Sequence, residues 1–159
     1  MVQEVSEELI DAGRGYENLF VPALFDAWTK HLVEGAGIQD GSHVLDIACG
    51  TGVLARRALA QAGPNGRVVG ADPAPGMLAA ANEIEPSIDW ILCGAESLSV
   101  EDESFDSVIS QFGMMFFSDR RKATDEMFRA LKPGGTLAIA VWRSVEHNPA
   151  YADIITVLG

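Results

Sequence analysis

Apolar positions recur at helical spacing early in the chain and then gather into short continuous runs. Between Tyr16 and Gly35 the residues Leu19, Phe20, Ala23, Leu24, Ala27, Trp28 and Leu32 follow a helical repeat, which Gly35 and Gly37 end. Met1–Gly15 reads as a polar lead-in with partial helical character. After the Asp40-Gly41 turn, strands are expected at His43–Ile47, Arg67–Ala71 (closed by Asp72), Ile88–Leu92, Phe105–Ser110 and Thr136–Trp142. Helical stretches alternate with them: Val53–Ala62, Pro75–Glu85 and Arg120–Leu131. Pro75 sits where a helix start tolerates its missing N–H. Pro86 and Pro133-Gly134-Gly135 act as stops, and Gly63-Pro64-Asn65-Gly66 is a strong turn. Cys93–Ser104 reads as loop, and Asn148–Leu158 as the start of a last helix.

Strands alternating with helices of about ten residues predict β-α-β units and a parallel sheet. Runs such as Leu137-Ala138-Ile139-Ala140-Val141 suit strands covered on both faces. In such sheets a ligand binds beyond the C-terminal strand ends, where strand order reverses. Three positions fall at successive strand ends: Asp46, Asp72, and the Gly94-Ala95-Glu96 loop.

Composition narrows the function. The 159 residues suit one domain, and 48% hydrophobic with 21% charged residues is ordinary for a globular chain. A net charge of −12 argues against a nucleic-acid surface and against an anionic membrane. No run reaches the roughly 18 apolar residues of a membrane span. Two cysteines, Cys49 and Cys93, make neither a disulfide framework nor a zinc spacing. With no signal peptide visible, a cytoplasmic protein with reduced thiols is expected.

The chemistry concentrates in Val44-Leu45-Asp46-Ile47-Ala48-Cys49-Gly50-Thr51-Gly52. An apolar run ends in an acid and turns through small residues into a helix. Gly50 and Gly52 let backbone approach a ligand, and the following helix aims free N–H groups at the turn. Asp72 is placed to accept hydrogen bonds from two ribose hydroxyls; its alternative is an N-cap. Met77, one turn further on, could cover a base, with Ala95 and Glu96 at its edge. Gly50-Thr51-Gly52-Val53-Leu54-Ala55 also fits the dinucleotide pattern, with Asp72 20 residues past Gly52. Taken alone that suggests NAD. Asp46, however, is a poor neighbour for a pyrophosphate and a good one for a cationic amine or sulfonium, both of which S-adenosylmethionine carries.

On these segments the sequence resembles the class I S-adenosylmethionine-dependent methyltransferases, in particular the small bacterial group that includes ubiquinone and menaquinone C-methyltransferases. Val44–Gly52 resembles the family's first motif, and Val68-Val69-Gly70-Ala71-Asp72 its second. Ala95-Glu96-Ser97-Leu98 resembles the adenine loop, Ser104-Phe105-Asp106-Ser107-Val108 the run into the fourth strand, and Leu131–Leu137 the turn before the fifth. The resemblance implies an α/β fold, a three-layer Rossmann-like sandwich with a mainly parallel sheet in the order 3-2-1-4-5. It also implies S-adenosylmethionine as cofactor and a small-molecule methyl acceptor. Asp46 and the backbone from Gly50 to Gly52 would hold the methionine part, Asp72 would hold the ribose, Met77 would pack on adenine, Ala95 and Glu96 would line the adenine pocket, and Ala48, Cys49 and Pro73 would also be cofactor-binding residues. Gln111 would lie between the methionine part and the acceptor, and Tyr16 would close over the cofactor. Two positions depart from the family. Ala48 replaces the turn's first glycine, which is tolerated if its φ is negative. Gly94 stands where an acid often accepts from the adenine amino group, a role that would pass to Glu96 or a water.

Methyl transfer is an in-line displacement, and alignment alone can supply about 7–11 kcal/mol of barrier reduction. A base is needed only if the acceptor must lose a proton. His147, after the fifth strand, is the best-placed of the three histidines. Met114-Met115-Phe116-Phe117 reads either as core or as an apolar acceptor pocket. The competing readings are an NAD(P)-linked dehydrogenase and a non-catalytic cofactor-binding domain. The chain is expected to be one domain: an N-terminal helical segment (1–40), a core (41–142) and the start of a C-terminal part (143–159) that looks truncated. Family members continue into antiparallel strands there, so an exposed Thr136–Trp142 edge predicts missing chain, or a partner such as a second copy.

Overall fold

The computed structural model describes residues 5–144 and 147. Two helices come first, α1 (Glu7–Phe20) and α2 (Asp26–Gly35), joined by a π-helical turn at Val21–Phe25. Then follow β1 (His43–Ile47), α3 (Val53–Ala62), β2 (Arg67–Asp72), α4 (Pro75–Ile84), β3 (Asp89–Leu92) and β4 (Phe105–Gln111). A 3₁₀ turn at Met114–Phe116, α5 (Arg120–Ala130) and β5 (Leu131–Ala140) complete the described chain. The five strands form one parallel sheet in the order β3-β2-β1-β4-β5, as expected.

Side chains alternate across the sheet and so build two cores. Val44, Val68 and Ile109 pack with Leu32, Val33, Leu54, Ala55 and Ala58 from α2 and α3. Leu45, Ile47, Val69 and Val108 pack with Ala123, Met127 and Ala130 from α5. On this alternation Asp46 shares a face with Val44 and is turned toward α3. On the outer side, α1 crosses α4 closely: a methyl group on Gly13 would stand 2.8 Å from the Gly76 carbonyl oxygen. Arg14 of α1 adds a two-pronged bond to Glu83 of α4, at 2.6 and 2.9 Å.

Two expectations change. The apolar repeat of residues 16–35 is not one helix. The chain is already helical at Glu7, and the π turn re-phases it before α2. Local periodicity does not register one extra residue in a turn. Second, β5 begins at Leu131. Phe105 pairs with Leu131 and Ser107 with Thr136, so Lys132–Gly135 bulge within the strand, with Gly134 at φ 82°. Asp72 stands at the end of β2, as expected, and Ala74 rather than Asp72 is the N-cap of α4. Among the described residues β5 is an edge strand, and no helix is long and apolar enough to cross a membrane. The helix expected at Asn148–Leu158 lies outside the described residues.

Candidate functional site

The C-terminal ends of β1, β2 and β4 meet beneath α1 and frame a crevice of about 560 Å³. Tyr16, Phe25, Ala48, Gly50, Asp72, Met77, Gln111 and Phe112 line it, with Met115, Phe116 and Trp142 on the side of β4 and β5. Behind it lies a small hollow of about 30 Å³ between Asp46, Ala48, Cys49, Gly50, Thr51 and Gln111.

Two oxygens give this hollow its character. Asp46 is 1% exposed, and its Oδ2 has no hydrogen-bond partner; neither does the buried Oε1 of Gln111. The Gln111 amide is held in that sense because its Nε2 donates to the Phe25 carbonyl at 3.0 Å. A buried acceptor without a donor is costly, about 1–3 kcal/mol or more. Burial first, and the nearby Asp72 second, push the Asp46 carboxyl well above its usual range, eased only by the Ala55 amide. Two unpaired buried acceptors thus stand at a space with room for one small group, which the Tyr16 side chain also lines. It fits an ammonium, which donates several hydrogen bonds and restores charge balance.

Asp72 holds the crevice together. Its Oδ2 accepts from the Gly50 N–H at 2.9 Å and its Oδ1 from the Ala74 N–H at 2.8 Å. Burial raises its pKa, and these two amides oppose the rise. Each oxygen keeps a second lone pair, so the carboxylate can both fix the turn and accept from a diol. Tyr16 lies over Gly50: a side chain built on Gly50 would meet only the Tyr16 ring, at 3.8 Å. Burial, with Asp72 and Glu17 adding to it, pushes the Tyr16 phenol up to about 12, so it stays a donor. Beside it, Glu17 accepts from Thr51 Oγ1 at 2.6 Å and pairs with Arg56, whose Nη1 donates to the Thr51 carbonyl at 2.6 Å. That network ties α1 to the turn after β1.

The two turn glycines do different work. Gly50 opens onto the crevice. Gly52, at φ 84°, lies against the Trp90 indole, which also covers Gly70, so its missing side chain makes room for a tryptophan rather than a ligand. Ala48 contradicts the expected negative φ: it stands at 57°, in the left-handed region. Its methyl crowds the backbone after β4, where a side chain on Gly113 would come within 2.5 Å of it.

Other residues singled out from the sequence lie away from both hollows. Pro73 is exposed, whereas its neighbour Ala74 lines the crevice. Ala95 is buried in the core against α5. Glu96 accepts from the Ser118 and Asp119 amides at 2.7 and 3.2 Å, and these amides hold its carboxyl below the usual range. Its other oxygen lies 3.3 Å from where a Gly94 side chain would begin. His147 is exposed and hydrogen-bonded to Ser144 Oγ at 2.9 Å. Sequence reasoning missed Phe25, Phe112 and Trp142. Phe25 sits in the π turn, and Phe112 in a left-handed conformation that no bulky residue announces.

A parallel 3-2-1-4-5 sheet with a buried acid at the crest of its first strand defines a nucleoside-cofactor-binding α/β domain. Comparison with known proteins makes this specific. Residues 44–135, more than half of the chain, match the family described as "Methyltransferase domain". The chain therefore belongs to that family, the class I S-adenosylmethionine-dependent methyltransferases. It is 36% identical over 124 residues to the ubiquinone/menaquinone biosynthesis C-methyltransferase UbiE of Hydrogenovibrio crunogenus, covering 74% of this chain and 49% of that protein. To the Xanthomonas campestris protein of the same name it is 32% identical over 150 residues, covering 89% of this chain and 59% of the relative. The chain thus spans about half the length of the curated relatives it matches. A solved S-adenosylmethionine-dependent methyltransferase from Aquifex aeolicus shares the fold with a TM-score of 0.73 at 22% identity, covering 84% of this chain and 73% of that one.

Proposed function

We propose that the chain is the cofactor-binding part of an S-adenosylmethionine-dependent methyltransferase acting on a small-molecule acceptor. The observation that carries the reading is the pair of buried acceptors at the hollow, Asp46 Oδ2 and Gln111 Oε1, which stand without donors. An ammonium supplies what both atoms lack, and a pyrophosphate would worsen the charge. The NAD reading is disfavoured on the same ground.

In this reading the Gly50 backbone and the Asp46–Gln111 pair hold the aminocarboxypropyl end. Asp72 accepts from the ribose hydroxyls while keeping the Gly50 and Ala74 amides, and Met77 packs on adenine. The bound cofactor supplies an electrophilic methyl group on a sulfonium. The protein's own part is to align and to dry the site. Tyr16 of α1 and Phe25 of the π turn wall it on one side, and Phe112, Met115, Phe116 and Trp142 give the acceptor side an apolar lining. The flexible Met115 beside two aromatic rings suits an apolar acceptor. The net charge of −12 supports a small molecule over a nucleic acid as partner.

Calorimetric titration with S-adenosylhomocysteine tests the reading. One molecule should bind per chain, and Gln111→Leu, which removes one of the two acceptors, should weaken binding at least tenfold. Binding by the parent that Gln111→Leu leaves unchanged would remove the hollow from the account. No binding at all would remove the methyltransferase reading.

A further inference from the structure

Phe112 is held against its backbone preference. It follows Gln111 with φ at 55°, where a bulky side chain is an outlier and a glycine would be relaxed. Such outliers persist only where the surroundings enforce them, and they cluster at functional sites. Here the surroundings are visible. The Phe112 N–H donates to the Ala140 carbonyl at 2.9 Å, so the backbone is pinned to β5. Its ring stacks on Trp142, with centroids 3.9 Å apart and planes at 10°, and meets Trp28 edge-on at 6.0 Å.

The stacked pair stands between two hollows of similar size. One is the crevice already described, about 560 Å³. The other, also about 560 Å³, lies between α2 and β5 and is bounded by Trp28, Leu32 and Ala138. Phe112 and Trp142 belong to the lining of both. Asp46, Asp72 and Gln111 line only the crest side, so the second hollow holds none of the cofactor-directed acceptors.

We propose that Phe112 determines acceptor specificity by size: its ring, braced on Trp142, closes the acceptor chamber off from the hollow between α2 and β5. An acceptor must then fit within the crest-side chamber beside the cofactor. The word acceptor rests on the methyltransferase reading; the partition itself does not. The strained backbone is what aims the ring across this boundary, one residue past the end of β4.

The test uses a neutral multi-ring dye, N-phenyl-1-naphthylamine, titrated by fluorescence against the protein saturated with S-adenosylhomocysteine. Phe112→Gly removes the ring and relaxes the backbone, and Trp142→Ala removes the brace on the far side. Both should bind the dye at least tenfold more tightly than the parent. Phe116→Ala is the control, because Phe116 lines only the first chamber and is 79% exposed. Thermal melts restrict the comparison to folded protein; should Phe112→Gly not melt cooperatively, Trp142→Ala reads the same wall. Parent-like dye affinity in the folded partition variants, or an equal rise in Phe116→Ala, overturns the proposal. If the parent does not bind S-adenosylhomocysteine, the methyltransferase reading fails separately, and the dye comparison without it still decides the partition.

Discussion

Replacing Asp46 with asparagine keeps the shape of the side chain and removes a buried charge that has nothing to pair with. In the free protein, burial and the neighbouring Asp72 hold the Asp46 carboxyl well above its ordinary range. A cation placed in the hollow reverses both effects and ionises it. Binding should therefore expel a proton wherever the free protein carries one on Asp46. Below the raised pKa, affinity for S-adenosylhomocysteine should fall about tenfold per pH unit, about 1.4 kcal/mol each. Above it, affinity should be flat. In Asp46→Asn the slope should vanish, and affinity at pH 8 should drop by about 1.5–3 kcal/mol, the worth of a hydrogen bond to a charged group. The same shift has a stability consequence of opposite use. A carboxyl whose folded pKa is raised stabilises the fold fully below its unfolded pKa of about 3.9, and that contribution is lost as pH rises through the folded value. Asp46→Asn should thus be more stable than the parent at pH 7–8, with the advantage shrinking toward pH 4. Calorimetry in two buffers of different ionisation heat counts the protons released. No proton release on binding at any pH at which the protein stays folded, together with parent-like binding by Asp46→Asn, would refute the reasoning.

Backbone conformation supplies further expectations. Ala48→Gly relieves a left-handed alanine and should stabilise the protein by about 1 kcal/mol, a rise of roughly 2–4 °C in melting temperature for a domain of this size. Gly52→Ala should lose about 2 kcal/mol or more in chemical denaturation, since the new methyl meets the Trp90 indole at φ 84°. Gly50→Ala, whose side chain enters the crevice instead, should reduce S-adenosylhomocysteine affinity more than it reduces stability. Glu96→Ala should lower stability by about 1 kcal/mol through the loss of its two amide bonds and leave S-adenosylhomocysteine affinity unchanged; a clear affinity loss would return Glu96 to the adenine site.

What could be read from the sequence follows from how local each signal is. Continuous apolar runs flanked by Gly and Pro placed the five strands and the α/β class, because each run carries its own local signal; burial is deep in β1, β2 and β4 and only partial in β3 and β5. The acid at Asp46 separated two nucleoside ligands that share a glycine pattern. The structure then gave that acid a partner, Gln111, whose orientation depends on the Phe25 carbonyl 86 positions earlier. No local pattern carries such a pairing. The roles of Gly50 and Gly52 were indistinguishable in sequence, since what separates them is Trp90 arriving from β3. Glu96 looked like a ligand residue because it stands in the right loop. One of its oxygens also accepts from the amides before α5, a pairing that the loop pattern does not announce. Phe112 went unnoticed for a similar reason: its φ is imposed by β5 and Trp142, and nothing in the sequence marks a phenylalanine for the left-handed region.

The central claim is that the crest of β1 receives a cationic nucleoside rather than a dinucleotide. Parallel calorimetric titrations of the same protein sample with S-adenosylhomocysteine and with NADH at pH 8 test it most directly. The account predicts saturable one-to-one binding of S-adenosylhomocysteine and no measurable heat from NADH. Saturable NADH binding with no S-adenosylhomocysteine signal would contradict it.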